Sequence, residues 1–158
     1  MGVPPDRTWT RLTGARVRPY TFGQSRSTYR LKVKMPSLNL EELQLQPLEV
    51  AQLIVDLAAD KLAEDILLLD LRGLASFADY FVIMSAESSR QIEALEEDLT
   101  QSLKDAGVSR HRREGTPGSG WVLLDFSDVI IHIFSPEERE FYDLERLWSR
   151  APQVVRVL

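Results

Sequence analysis

Two apolar runs set two residues apart constrain this chain more than anything else in it. Trp121-Val122-Leu123-Leu124-Asp125-Phe126 and Val129-Ile130-Ile131-His132-Ile133-Phe134 flank Ser127-Asp128, the spacing of a tight β-hairpin. With Ser127-Asp128 as the turn, Phe126 faces Val129, Leu124 faces Ile131 and Val122 faces Ile133. Side chains alternate across a strand, so these six share one wholly apolar face, the core side. Asp125 with Ile130, Leu123 with His132, and Trp121 with Phe134 share the other. That second face mixes an indole, a carboxylate and an imidazole with aliphatic groups, the blend found at binding hot spots. Two readings fit it: an exposed docking surface carried by Trp121, Leu123, Asp125 and His132, or a face covered by another helix with His132 a core histidine.

The rest of the chain supplies partners for the hairpin. Val50, Leu53, Ile54, Leu57, Ala58 and Leu62 recur at helical spacing behind Pro47, which suits a first helical turn. Asp65–Leu71 and Asp79–Ser85 read as strands rich in branched and aromatic residues. Ser88 or Ser89 caps a second helix with Ile92, Leu95, Leu99 and Leu103 on its inner stripe and Gly107 as its stop. Val108–Glu114 reads as a weak, basic edge strand and Gly115–Gly120 as a flexible loop. Ser135-Pro136-Glu137-Glu138 opens a last helix, with Phe141, Leu144, Leu147 and Trp148 as its buried face and Pro152 beyond it. The order α-β-β-α-β-β-β-α predicts an α/β fold, a mixed sheet flanked by helices, over residues 47–152, with 153–158 as a C-terminal tail.

Charge is unevenly spread along the 158 residues. The first 34 carry eight Arg and Lys against the single acid Asp6, a net of +7, so the remainder carries −12 of the total −5. The basic stretch has Pro, Gly, Ser and Thr but no sustained apolar period, so residues 1–46 are expected to form a disordered extension. Three readings of residues 1–34 stand side by side: an organelle transit peptide, translated upstream sequence with Met35 as the natural start, or an electrostatic arm toward RNA. A −12 body is poorly suited to a phosphate backbone, which is gripped by Lys and Arg displacing counterions. A basic protein partner suits it better. No apolar run approaches the roughly 20 residues of a membrane-spanning helix.

Catalytic templates mostly fail. There are no cysteines and only two histidines, His111 and His132, which removes thiolate-held metals and thiol nucleophiles. Gly115-Thr116-Pro117-Gly118-Ser119-Gly120 lacks the Lys-Ser/Thr of a phosphate loop. Ser127, His132 and Asp125 could form a trio, but nothing puts the serine on a nucleophile elbow. A nucleotidyltransferase-like fold also begins helix, strand, turn, strand, and holds Mg²⁺ with two strand carboxylates one residue apart. Asp79-Tyr80-Phe81 offers only the first of them. No cofactor or metal site is expected; a degenerate nucleotidyltransferase-like nucleotide-binding protein is the alternative reading.

Seven landmarks in order resemble one family, the ribosomal silencing factors or Iojap-like proteins, over roughly Leu48 to Pro152. They are Lys61-Leu62-Ala63-Glu64-Asp65-Ile66 with Leu69-Asp70; Asp79-Tyr80-Phe81-Val82-Ile83; Ser88-Ser89-Arg90-Gln91; Glu114-Gly115; Gly120 to Phe126; Asp128 to Phe134; and Arg139 to Trp148. The resemblance implies a nucleotidyltransferase-like sheet with no catalytic activity. It further implies binding to the large ribosomal subunit through ribosomal protein L-fourteen, a steric block on small-subunit joining, and lower translation when nutrients are scarce. Glu114, Asp128, Arg139, Tyr142 and Glu145 match family positions, as partner contacts or as residues fixing the last helix to the sheet. Ala86-Glu87-Ser88-Ser89 departs from the family's Gly-x-Ser-Ser, and the N-terminal extension from its simplest bacterial members. The resemblance implies a cytoplasmic bacterial protein, or an organelle matrix or stroma if residues 1–34 are a transit peptide. It leaves the free protein open to a monomer or a homodimer.

Overall fold

The structure, a computed structural model, describes residues 44–158 together with the backbone of two short strands, β1 (Thr10–Leu12) and β2 (Ala15–Val17). Those two pair antiparallel, Thr10 opposite Val17, a pairing the sequence reading does not anticipate. The expected disordered extension otherwise lies outside the described residues. The chain divides into a unit spanning Met1–Ser37 and a unit spanning Leu38–Leu158; the second holds the candidate site.

In that unit the order is α1 (Pro47–Asp60), β3 (Glu64–Asp70), β4 (Tyr80–Ser85), α2 (Ser89–Asp105), β5 (Arg112–Thr116), β6 (Trp121–Asp125), β7 (Val129–Phe134), α3 (Pro136–Tyr142), α4 (Leu144–Leu147) and β8 (Gln153–Val157). Six strands form one sheet in the order β5-β6-β7-β4-β3-β8. All neighbours are antiparallel except β4 and β7, which pair in parallel with Tyr80 opposite Val129. The mixed α/β fold expected from the sequence is what forms.

The hairpin register is the one read from the sequence: Trp121 opposite Phe134, Val122 opposite Ile133, Leu123 opposite His132 and Leu124 opposite Ile131. Val122, Leu124, Ile131 and Ile133 join the main core with Ile54 and Ala58 of α1 and Leu99 and Leu103 of α2. Each large aliphatic side chain fully buried there contributes about 1.5–3 kcal/mol. Ser88 caps α2 by accepting from the Gln91 amide at 3.2 Å. Gly107, at φ +83, ends it, with the Val108 amide returning to the Leu103 carbonyl at 2.8 Å.

Four expectations need correction. Residues 153–158 are not a free tail: Gln153–Val157 adds strand β8 beside β3. The basic edge strand starts at Arg112, not Val108, and runs through Thr116. Residues Pro117–Ser119 are not a loose loop but a 3₁₀ turn, in which Thr116 and Ser119 cap each other. The last helix is broken. Asp143 takes a left-handed conformation, φ +43, which ends α3 and redirects α4. The continuous stripe is thereby lost: Leu144 and Trp148 pack inward, while Phe141 and Leu147 stay 78% and 73% exposed.

One clip holds these last elements to the sheet. Asp65 sits in a left-handed conformation at a bulge between Glu64 and Leu67, which turns its carbonyl to the Arg139 guanidinium. Arg139 Nη1 donates to that oxygen at 2.6 Å and to Ser85 Oγ at 2.9 Å; Nη2 donates to Glu145 Oε1 at 2.6 Å. The Asp65 carboxylate in turn accepts from Arg156 of β8 at 2.9 and 3.0 Å. Removing Arg139, which is 8% exposed, strands the Glu145 carboxylate and the Asp65 carbonyl. Arg139→Ala is therefore expected to lower unfolding stability by about 3 kcal/mol in chemical denaturation. Arg156→Ala, at the more exposed end, is expected to cost less than about 1 kcal/mol.

Candidate functional site

The sheet has unequal faces. α1 and α2 cover one side; the other carries a smaller core of Leu67, Leu69, Phe81, Ile83, Ile130 and Phe134, with Trp121, Leu123, Leu144 and Trp148 partly buried against it. Among the described residues, this second side is covered only by the short α3 and α4 and the segment from Leu71 to Ala78. Apolar groups remain at its surface: Phe77 is 56% exposed, Tyr142 43% and Leu74 39%.

At one end of that face, Trp121 stands at the start of β6. Its ring lies 4.4 Å from Tyr142 and 5.1 Å from Phe134, stacked on the latter. Two glycines allow this approach. A Cβ on Gly115 would meet the Trp121 carbonyl oxygen at 2.1 Å, and one on Gly120 would meet Ser135 Oγ at 2.7 Å. The backbone contact at Gly120, whose carbonyl accepts from the Ser135 amide at 2.8 Å, seats the α3 N-terminus beside β6. From there α3 carries Tyr142 over Trp121. Beside the pair, a cleft of about 220 Å³ is lined by Glu114, Gly115, Ser119, Trp121, Leu123 and Tyr142.

The structure sorts the nine expected site residues. Trp121, Leu123, Tyr142 and Glu114 converge on the cleft. His132 does not share the exposed surface expected for it: at 3% exposure it is a core histidine, covered by Phe81, Trp121 and Phe134. Asp125 is committed to the hairpin turn, where Oδ1 accepts from the Ser127 amide at 2.8 Å. The Asp128 carbonyl accepts from the amides of Asp79 and Tyr80 and so ties β4 to the hairpin. Arg139 and Glu145 belong to the clip. Phe77, which rests on Trp148 and Phe81 at 5.9 and 6.1 Å, is a surface aromatic that the sequence reading missed. Its place between two strands carried no periodic signal.

Among the described residues no group of three or more His, Asp and Glu is placed to hold a metal, and no helix is long and apolar enough to cross a membrane. Asp70 is paired with Arg72 at 2.6 Å, and that hydrogen bond holds its carboxyl below the usual range.

Burial pushes the His132 imidazole down to about 3. Its Nδ1 accepts from Trp121 Nε1 at 3.2 Å, so the ring proton sits on Nε2, which has no partner among the described residues. The unfolded chain takes up this proton near pH 6.5, the folded one only near pH 3. Stability is therefore full above about pH 6.5 and declines toward pH 3, by at most about 1.4 kcal/mol per pH unit from this one group. Denaturation curves of the parent and His132→Leu are expected to separate the contribution: the variant loses that part of the acid dependence, and identical slopes would refute it.

The sequence profile described as "Ribosomal silencing factor during starvation" matches residues 44–157. The chain is 38% identical over 106 residues to the ribosomal silencing factor of Halalkalibacterium halodurans, covering 67% of this chain and 91% of that one. It is 32% identical over 100 residues to the mouse "Mitochondrial assembly of ribosomal large subunit protein 1", of which it spans 44%. A crystal structure of a Chromobacterium violaceum protein superposes with a TM-score of 0.64 at 33% identity, over 66% of this chain and 88% of that one. The family match extends through β8, in keeping with its place in the sheet. This chain belongs to the family of ribosomal silencing factors.

Proposed function

We propose that this chain docks on the large ribosomal subunit through a basic protein, ribosomal protein L-fourteen. There it blocks joining of the small subunit by occupying its ground, lowering translation under nutrient limitation. The observation that carries the reading is the Trp121–Tyr142 pair beside its cleft: two aromatic anchors already in contact, on the sheet face that only two short helices cover among the described residues. Trp and Tyr dominate interfaces because each presents a large, stiff contact area with few rotatable bonds.

Charge supports a protein partner. Glu114, paired with Arg112 at 3.3 Å, is exposed at the edge of the cleft, and the body from residue 35 onward carries −12. Such a net charge repels bare ribosomal RNA and steers toward a basic surface. A patch of about 800 Å² per partner suffices for a stable complex when a few anchors are well seated. The compartment follows from residues 1–34: the bacterial cytoplasm, or an organelle if they serve as a transit peptide.

Density-gradient sedimentation of purified subunits tests the reading. Saturating protein is expected to co-sediment with large subunits and to leave fewer joined particles. Trp121→Ala is expected to weaken docking by at least about 2 kcal/mol, the usual loss at a hot spot. Glu114→Lys, whose side chain is 55% exposed, is expected chiefly to slow association and reduce its salt dependence. Subunits that join unimpeded at saturation would sink the proposal.

A further inference from the structure

We infer that His132 is a positioning residue for the docking face, holding the Trp121 indole in the orientation that packs against Tyr142. The inference rests on the docking role proposed above and assigns a task to a buried side chain that does not itself reach the surface.

The chemistry at position 132 is odd for a core site. Its strand neighbours are Ile131 and Ile133, and its cross-strand partners are Leu123 and Ile83. An aliphatic or phenyl side chain would fill the same space without any polar atom. Histidine instead leaves Nε2 buried with no partner among the described residues, which lowers stability. What this residue offers is Nδ1, the acceptor for Trp121 Nε1 at 3.2 Å.

An indole has a single polar atom, a donor. On a half-buried tryptophan that donor must find an acceptor or turn to water. Turning would lift the ring away from Phe134 at 5.1 Å and Tyr142 at 4.4 Å, and the cleft they frame would lose its wall. The imidazole is itself held on both sides, edge-to-face with Phe81 at 4.6 Å and nearly parallel to Phe134, 8° between planes. It therefore presents Nδ1 in a fixed place. A tryptophan seated before the partner arrives loses less freedom on binding, which appears as affinity.

Two variants of the full chain separate this role from mere packing. His132→Asn can place its amide oxygen where Nδ1 lies and so keep an acceptor. His132→Leu fills the space and removes it. The readouts are hydrogen exchange of the Trp121 indole N–H by NMR, thermal unfolding, and affinity for large subunits. His132→Leu is expected to melt at or above the parent's temperature, yet exchange the indole proton faster and bind about tenfold more weakly, the loss of one pre-ordered anchor. His132→Asn is expected to bind within about threefold of the parent, although its smaller side chain packs less well. An indole proton equally protected in His132→Leu overturns the inference, whatever the docking result. Docking that survives in Trp121→Ala takes the indole off the docking face and overturns the inference as well, whereas failure of the parent chain itself to dock removes the proposed function.

Discussion

The alternation of side chains along one hairpin governs the rest of this molecule. In β6 and β7 every second residue enters the main core, and the residues between them build the opposite face. The register is pinned at the turn, where Asp125 accepts from the Ser127 amide and Ser127 tolerates φ +70. A slip of one residue would exchange the two faces, driving His132 and Trp121 against α1 and α2 while Leu124 and Ile131 turned to the smaller core on the other side. Folding and docking thus draw on a single pairing.

Coverage of the sheet then decides where a partner can sit. α1 and α2 are long, regular and capped, and they seal their side. The other side is roofed by two short helices separated by Asp143, and the break keeps Phe141 and Leu147 outside. Arg139 pins this roof to Asp65, Ser85 and Glu145, so it is rigid despite its brevity. The consequence is a firm surface that still offers aromatic rings. Under the proposed function, the net charge of −12 carried from residue 35 onward directs such a surface toward a basic protein and away from RNA.

Much of this was readable from residues alone, where a periodic signal existed. The hairpin register, the two capped helices and the central strands follow from period-two and period-3.6 patterns that burial enforces. Four features had no such signal. β8 is an edge strand whose Val154 and Arg156 stay exposed, so its sequence resembles a tail. The kink at Asp143 depends on a left-handed backbone, which an apparent helical stripe conceals. His132 reads equally as a polar group on an open face or as a core histidine; only the rings of Phe81, Trp121 and Phe134 closing over it decide for the buried one. The surface aromatic Phe77 lies in an irregular segment and is exposed by tertiary packing, which local patterns do not encode.

The central claim is that recognition is of protein and passes through the aromatic face. Isothermal calorimetry of this chain with purified ribosomal protein L-fourteen, and separately with protein-free large-subunit RNA, tests it most directly. The account predicts saturable binding to the protein with a negative heat-capacity change, the mark of apolar burial, and no binding to the RNA. Heat evolved on RNA alone, with none on the protein, would contradict it.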